Sequence, residues 1–401
     1  MRVLVLNCGS SSLQFAVVEF ATDGQARPPD QRAPRGRIER IGGDAVAIFH
    51  ATPEHTEERT CTAPNHAVAV QHALRWLQAG GALARLDAVG HRVVHGGERF
   101  TRTTRIDADT IAGIADFNDF APLHNPACIS GIEVARAVCG DALPMAAVFD
   151  TAFHHTLPEA AARYALPAAL AARHHIRRYG FHGIAHQYAA ERYGEISGTP
   201  TQTADLIILH LGNGCSITAV HHGVSVDTSM GFSPLEGLVM GTRCGDIDAS
   251  VVAYLAHREQ VSADTVTAWL NHDSGLLGIS ERSGDMRDLT GAMDTDPRAR
   301  LAVEMFCHRA SKYVGAYLTV LGGATAIIFS GGIGEHSPTV RARIAARLRW
   351  CGLQLDAARN AAAIGEEGRI SCGDGLQAYV IPADEELVIA RETARCIGAS
   401  R

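Results

Sequence analysis

Two stretches half a chain apart carry the residues best suited to chemistry. Residues 206–217 read LIILHLGNGCSI, an apolar run that enters His210, Leu211, Gly212, Asn213 and Gly214 and leaves through small and β-branched residues. The N-terminus repeats the pattern as VLVLNCGSSSL, with Asn7, Cys8, Gly9 and Ser10 at the corner. Each predicts a β-hairpin whose glycines let backbone N–H groups close on an anion. Gly9 and Gly212 align at an offset of 203 residues, which reads as an internal duplication. Two such corners facing across a cleft would grip the phosphates of a nucleotide. A third strand–glycine–helix corner, AIIFSGGIGEHS, aims the donors of a helix N-terminus.

A chain of net charge −7 needs locally placed cations to hold an anion. They must be arginines, because Lys312 is the only lysine. That excludes a lysine-dependent phosphate loop, and Schiff-base chemistry would fall to Lys312, in the middle of a helix. Arg92 follows the strand DAVGH and Arg243 lies in the turn GTRCGD. The planar arginine fork grips a carboxylate or phosphate in two places and its charge does not titrate away. His182 stands between Gly180 and Gly183, which permit close approach to a ligand. Asp150 ends the strand AAVFD; Glu385 opens the last helix, where a carboxylate also suits the helix dipole. Asp285 and Arg287, in DMRD, read either as an ion pair or as contacts to ribose and base. The pairs His154-His155, His174-His175 and His221-His222 read as non-metal, since neighbours on a strand or helix point to different sides.

The elements that position these residues follow from pattern and length. The 401 residues, 46% of them hydrophobic, suffice for two cores. The negative charge argues against nucleic acid or an acidic membrane as partner. Ten scattered cysteines without a CxxC pair read as reduced thiols. No apolar stretch approaches the roughly 18 residues of a membrane span, and Met1 runs straight into a strand, which together predict a cytoplasmic protein. Spacing predicts a helix over 66–79, strands over 87–94 and 146–150, and a surface helix pair over 159–173 broken by Pro167. A long helix over 297–321 begins at Asp296 and Pro297, stops at Gly322-Gly323, and carries an apolar stripe of Leu301, Met305, Tyr313, Tyr317 and Leu321. Residues 21–64 predict a small sheet with irregular loops. Alternating strands and helices, twice over, predict α/β domains with ligands at strand ends.

The blocks NCGSSSL, GHRVVHGGERF, APLHNPA, VFDTAFH, RRYGFHG, HLGNGCSI, SVDTSMGFSPLEGLVMGTRCGDID, SGLLGIS, DMRDL, FSGGIGEHS and IPADEEL run from one end of the chain to the other. In that order they resemble the acetate kinase family. The resemblance implies the two-domain actin-like fold, a duplicated βββαβαβα core with an interdomain cleft, as a homodimer. Its domains would be 1–150 plus 386–401, on the acyl-substrate side, and 151–385, on the nucleotide side. It implies reversible transfer of phosphate from ATP to the carboxylate of acetate. By the same resemblance Asn7 and Glu385 match magnesium positions, with manganese as an alternative ion. Arg92 matches the acetate-binding arginine, Asp150 the catalytic acid, and His182 and Arg243 the transition-state stabilisers. Residues 210–214, Asp285, Met286 and Arg287, and Gly332, Ile333, Gly334, Glu335 and His336 match the nucleotide stretches. Val94, Leu123, Phe181 and Pro234 match the pocket around the acetate methyl.

Chemistry qualifies one of these roles. A carboxylate acceptor is already ionised at neutral pH, so no base is needed, and Asp150 suits orienting magnesium through water or holding a neighbouring arginine better than taking a proton. Three positions depart from the family pattern. Gln14 replaces a lysine near the nucleotide phosphates, Ile184 and Ala185 replace two hydroxyls beside His182, and His336 replaces an asparagine. These changes predict a raised KM for ATP. Competing readings are the same chemistry on propionate, which Val94 disfavours, and a weakened nucleotide-binding sensor of the same fold. A sugar kinase would want an aspartate base in place of an arginine beside an apolar pocket.

Overall fold

In a computed structural model, all residues are described except 10, 21–33, 53–54, 123, 374 and 399–401. The chain forms two compact units, Met1–Phe153 with Asp384–Arg401, and His154–Ala383.

The first unit is built on a mixed sheet. β1 (Arg2–Cys8) is buried over six of its seven residues, five of them apolar, the pattern of a central strand. It pairs antiparallel with β2 (Ser12–Glu19), making the first predicted hairpin. β3 (Arg35–Glu39), β4 (Asp44–Thr52) and β5 (His55–Thr62) continue the antiparallel side. On the other side β1 runs parallel to β6 (Ala88–Val93), and β6 to β8 (Met145–Phe149), with β7 (Thr104–Arg105) at the edge. The described strands within 21–64 therefore extend the main sheet and form no separate small one, because β3 finds its hydrogen-bond partners on β2. Arg92 lies within β6 and not after it. The closing helix Glu385–Gly398 lies flush on β6, where a Cβ on Gly90 would fall 2.4 Å from Thr393 Oγ1 and 2.9 Å from Ile389 Cγ2.

The second unit repeats the plan. β9 (Asp205–Leu211) and β10 (Cys215–His221) form the second hairpin, and β11 (Val224–Thr228) adds a third antiparallel strand. β9 runs parallel to β12 (Ala326–Ser330) and β12 to β14 (Gln377–Val380), with β13 (Gly368–Arg369) at the edge. The orders β3-β2-β1-β6-β8 and β11-β10-β9-β12-β14 are the same topology twice, the two-domain actin-like ATPase fold.

Helix His66–Ala79 has the predicted bounds, and helices Glu159–Ala162 and Ala168–Arg173 form the short pair around Pro167. Helix Pro297–Leu321 begins with Asp296 accepting from the amides of Arg298 and Ala299 and stops at Gly322, whose φ of 71° is left-handed. Its predicted stripe holds at Tyr317, which is buried, and fails at its first two members. Leu301 and Met305 are 49% and 40% exposed, whereas Ala299, Ala302, Val303, Phe306, Ala310, Val314 and Tyr317 are buried. The small alanines set much of the buried face because they let the helix sit close to its neighbours, so counting large apolar residues misplaced the start of the stripe.

Candidate active site

In the first unit four predicted residues converge from distant parts of the chain. Arg92, on β6, donates through Nε to Asp150 Oδ1 and Oδ2 at 3.2 and 3.1 Å and through Nη2 to Asp150 Oδ2 at 2.5 Å. Its Nη1 donates to Asn7 Oδ1 at 3.1 Å. Asn7, near the end of β1, donates from Nδ2 to Glu385 Oε2 at 2.8 Å. Asp150 is 1% exposed. Burial opposes the charge of Arg92, yet Asp150 and Glu385 outweigh it and hold its pKa above the ordinary arginine value. Glu385 does not cap its helix: Asp384 does, accepting from Leu387 N–H at 3.1 Å, so the Glu385 carboxylate faces Asn7 instead. Val94 is buried two residues beyond Arg92. Leu123 and Ser10 lie outside the described residues. Gln14 is exposed on β2 opposite Asn7 and lines a cavity of about 420 Å³ with Arg35, Arg37, His50 and Glu386.

In the second unit His182 precedes helix Gly183–Ser197 with a left-handed φ of 57°. For a side chain with a Cβ this conformation is strained, and such residues cluster at working sites. Its Nδ1 lies 2.9 Å from Ser216 Oγ and its ring centroid 4.8 Å from that of His210. Arg243 donates from Nη1 to the Pro234 carbonyl at 2.6 Å, and burial lowers its pKa. A Cβ at Gly214 would meet Arg243 Nη2 at 2.6 Å and His182 Nε2 at 3.4 Å, so the hairpin glycine is what admits both side chains. Phe181 is fully buried.

Asn213, Asp285, Met286, Arg287, Gly332, Ile333 and His336 line an open cavity of about 910 Å³, while Gly212 contributes backbone. Asp285 both caps its helix, accepting from Arg287 N–H at 2.8 Å, and pairs with the Arg287 guanidinium at 2.6 Å. Leu211 is buried in its strand, Gly334 packs on Phe329, and Glu335 accepts from Ala383 N–H at 2.9 Å, so these three predicted residues face elsewhere. The expectation for the turn amides also needs correction: Gly9 N–H donates to Ser12 O and Gly212 N–H to Gly214 O, so both close their own turns and neither is left for an anion.

The histidine pairs hold one surprise. His222 has φ of 51°, which swings its ring onto that of His221 at 3.9 Å, beside Asp205. The argument from alternation fails there because a left-handed residue breaks it. The trio sits at the start of β9, at the opposite end from His210–Gly214.

Sequence reasoning missed two buried residues. His186 lies 2.7 Å from Ser216 Oγ, in the first turn of the helix that His182 precedes. Arg341, fully buried, donates to the carbonyls of Gly334, Glu335, Asn360 and Ala363 and braces the short helix Gly331–His336. No motif marked it.

The chain is similar to known proteins along its whole length. The profile of the Acetokinase family matches residues 2–391. The chain is 50% identical to an acetate kinase of Solibacter usitatus, over 99% of this chain and 98% of that one. It is 47% identical to an acetate kinase of Chloroherpeton thalassium, over 99% of each. Among crystal structures, an acetate kinase of Porphyromonas gingivalis superposes with a TM-score of 0.89 at 36% identity, over 99% of both chains. A propionate kinase of Francisella tularensis gives 0.90 at 40%, over 98% of this chain and 99% of that one.

Proposed function

The chain belongs to the acetokinase family, and from that premise we propose that it moves the terminal phosphoryl group of ATP to the carboxylate of acetate, reversibly, giving acetyl phosphate and ADP. The Arg92 cluster carries this reading. Of the five N–H hydrogens of a guanidinium, three are engaged by Asp150 and Asn7, leaving one on each Nη for a small carboxylate. The acceptor is already an anion, so no group has to take its proton. Both oxygens of Asp150 are engaged by Arg92, which supports an orienting role. Val94 supplies an apolar neighbour for the methyl group. Because one methylene is worth about 1–3 kcal/mol, the preference for acetate over propionate is modest.

Asn7 and Glu385 fit a magnesium ion, with manganese as the alternative. Both offer oxygen donors, and magnesium is commonly held by one or two carboxylates together with water and substrate phosphates. Glu385 would supply the ligand carboxylate, steadied by the Asn7 amide, and the Asn7 oxygen, which also accepts from Arg92, would supply the second donor. When bound, the ion offsets the charge of the phosphates. In the second unit the cavity of Asn213, Asp285, Arg287, Ile333 and His336 takes the nucleotide. His182 and Arg243 supply donors to the phosphoryl group in transfer, whose chemistry asks mainly for alignment and charge stabilisation. The purified protein with acetate, ATP, Mg²⁺ and hydroxylamine is expected to yield coloured acetohydroxamate. Folded protein that binds ATP yet yields none contradicts the reading and favours a sensor.

A further inference from the structure

We propose that His186 and Ser216 form a hydrogen-bond chain that fixes His182 in one tautomer, with its proton on Nε2 and a bare Nδ1. The inference deepens the role of His182 and rests on that reading.

Ser216 is fully buried on β10, its Oγ 2.9 Å from His182 Nδ1 and 2.7 Å from His186 Nε2. A hydroxyl has one hydrogen, so it donates to one ring and accepts from the other. His186 sets the direction. It is fully buried, its Nδ1 has no hydrogen-bond partner, and burial followed by the nearby His154 and His210 holds its pKa well below the ordinary histidine value. It is therefore neutral, with one ring proton. A proton on Nδ1 would be a buried, unpaired donor; a bare lone pair there is the better tolerated of the two. So His186 Nε2–H donates to Ser216 Oγ, and the Ser216 hydroxyl donates to His182 Nδ1.

His182 then carries its hydrogen on Nε2, the atom that a Cβ on Gly214 would approach to 3.4 Å, beside Arg243 Nη2. The site gains a neutral N–H donor suited to a phosphoryl oxygen, next to a guanidinium. His154 braces the backbone at the same point. Its Nε2 lies 3.1 Å from the Phe181 carbonyl and its Nδ1 2.9 Å from Ser225 Oγ, so the His154 proton must sit on Nε2. That carbonyl belongs to the peptide entering His182, whose backbone is left-handed and strained. Ser216, His186 and His154 are positioning residues.

Nitrogen NMR of protein labelled at the imidazoles, with His182 identified by its loss in His182→Gln, reads the tautomer directly. At pH 7 the wild type is expected to show Nε2 protonated and Nδ1 bare. Ser216→Ala is expected to populate both tautomers and lower kcat roughly tenfold or more while KM for ATP stays within about twofold. His186→Gln, whose amide N–H can replace Nε2–H, keeps the single tautomer; His186→Leu loses it. A wild type with a protonated Nδ1, or Ser216→Ala with tautomer and kcat both unchanged, overturns the inference. An active enzyme with the wrong tautomer defeats the chain alone. The predicted tautomer in a protein that yields no acetohydroxamate defeats only the functional reading.

Discussion

Two arginines of the proposed site have opposite surroundings. Arg92 is clamped by Asp150 and held above its ordinary pKa, so its orientation is set before a ligand arrives. Arg243 is bonded to a backbone carbonyl, has no carboxylate partner among the described residues, and is lowered by burial. An incoming phosphate therefore relieves a cation that the fold leaves uncompensated. Gln14 tests the opposite case. Its cross-strand neighbour is Arg37, half-exposed and paired with Glu39, so a guanidinium already stands beside the missing lysine. Exposed charges contribute about 0.2–1 kcal/mol, so Gln14→Lys is expected to lower KM for ATP by about 1.4- to fivefold. An unchanged KM in steady-state kinetics contradicts a role for this position. Most side chains at the site were legible in the sequence because they sit in glycine-flanked blocks. Ser216 and His186 were not, because their roles depend on strand and helix neighbours that no motif records.

At the level of elements, the hairpins were the clearest signal, and both formed as read. What the sequence could not show is which amides remain available, since that depends on turn closure by Ser12 O and Gly214 O. The two glycines of the second hairpin have different duties. At Gly212 an added Cβ meets only Gly214 O, at 3.3 Å, but at Gly214 it meets Arg243 Nη2 at 2.6 Å. Gly214→Ala is expected to lower kcat about 100-fold with little loss of stability, because a small displacement of a charged donor suffices. Gly212→Ala is expected to stay within about fivefold. Equal effects in parallel kinetics and thermal melts contradict the assignment. The long helix teaches the complementary lesson: its caps were readable from Asp296, Pro297 and Gly322, while its buried face was hidden because alanine packs well yet weighs little in a hydrophobic pattern.

Across the whole molecule, the duplicated sheet places strand ends and buried histidines in both halves, and the histidines set a pH limit on the fold. Burial lowers His91 and His95 to about 3 and His154 to about 4, and lowers His186 well below its ordinary value. Each is neutral in the fold and charges near pH 6.5 when unfolded. Their stabilisation is complete above 6.5 and is lost as pH falls towards the folded values, at about 1.4 kcal/mol per pH unit for each group. The urea midpoint is expected to drop steeply between pH 6.5 and 4; a flat profile over that range contradicts it. The duplication itself was legible from Gly9 and Gly212, but the extension of the first sheet by β3 to β5 was not, because weakly apolar strands name no partner. The account as a whole depends on a guanidinium that receives a carboxylate already charged. The most direct test is kcat/KM for acetate in Arg92→Ala, with folding checked by circular dichroism. A loss of at least about 100-fold is predicted, and an undiminished value contradicts the account.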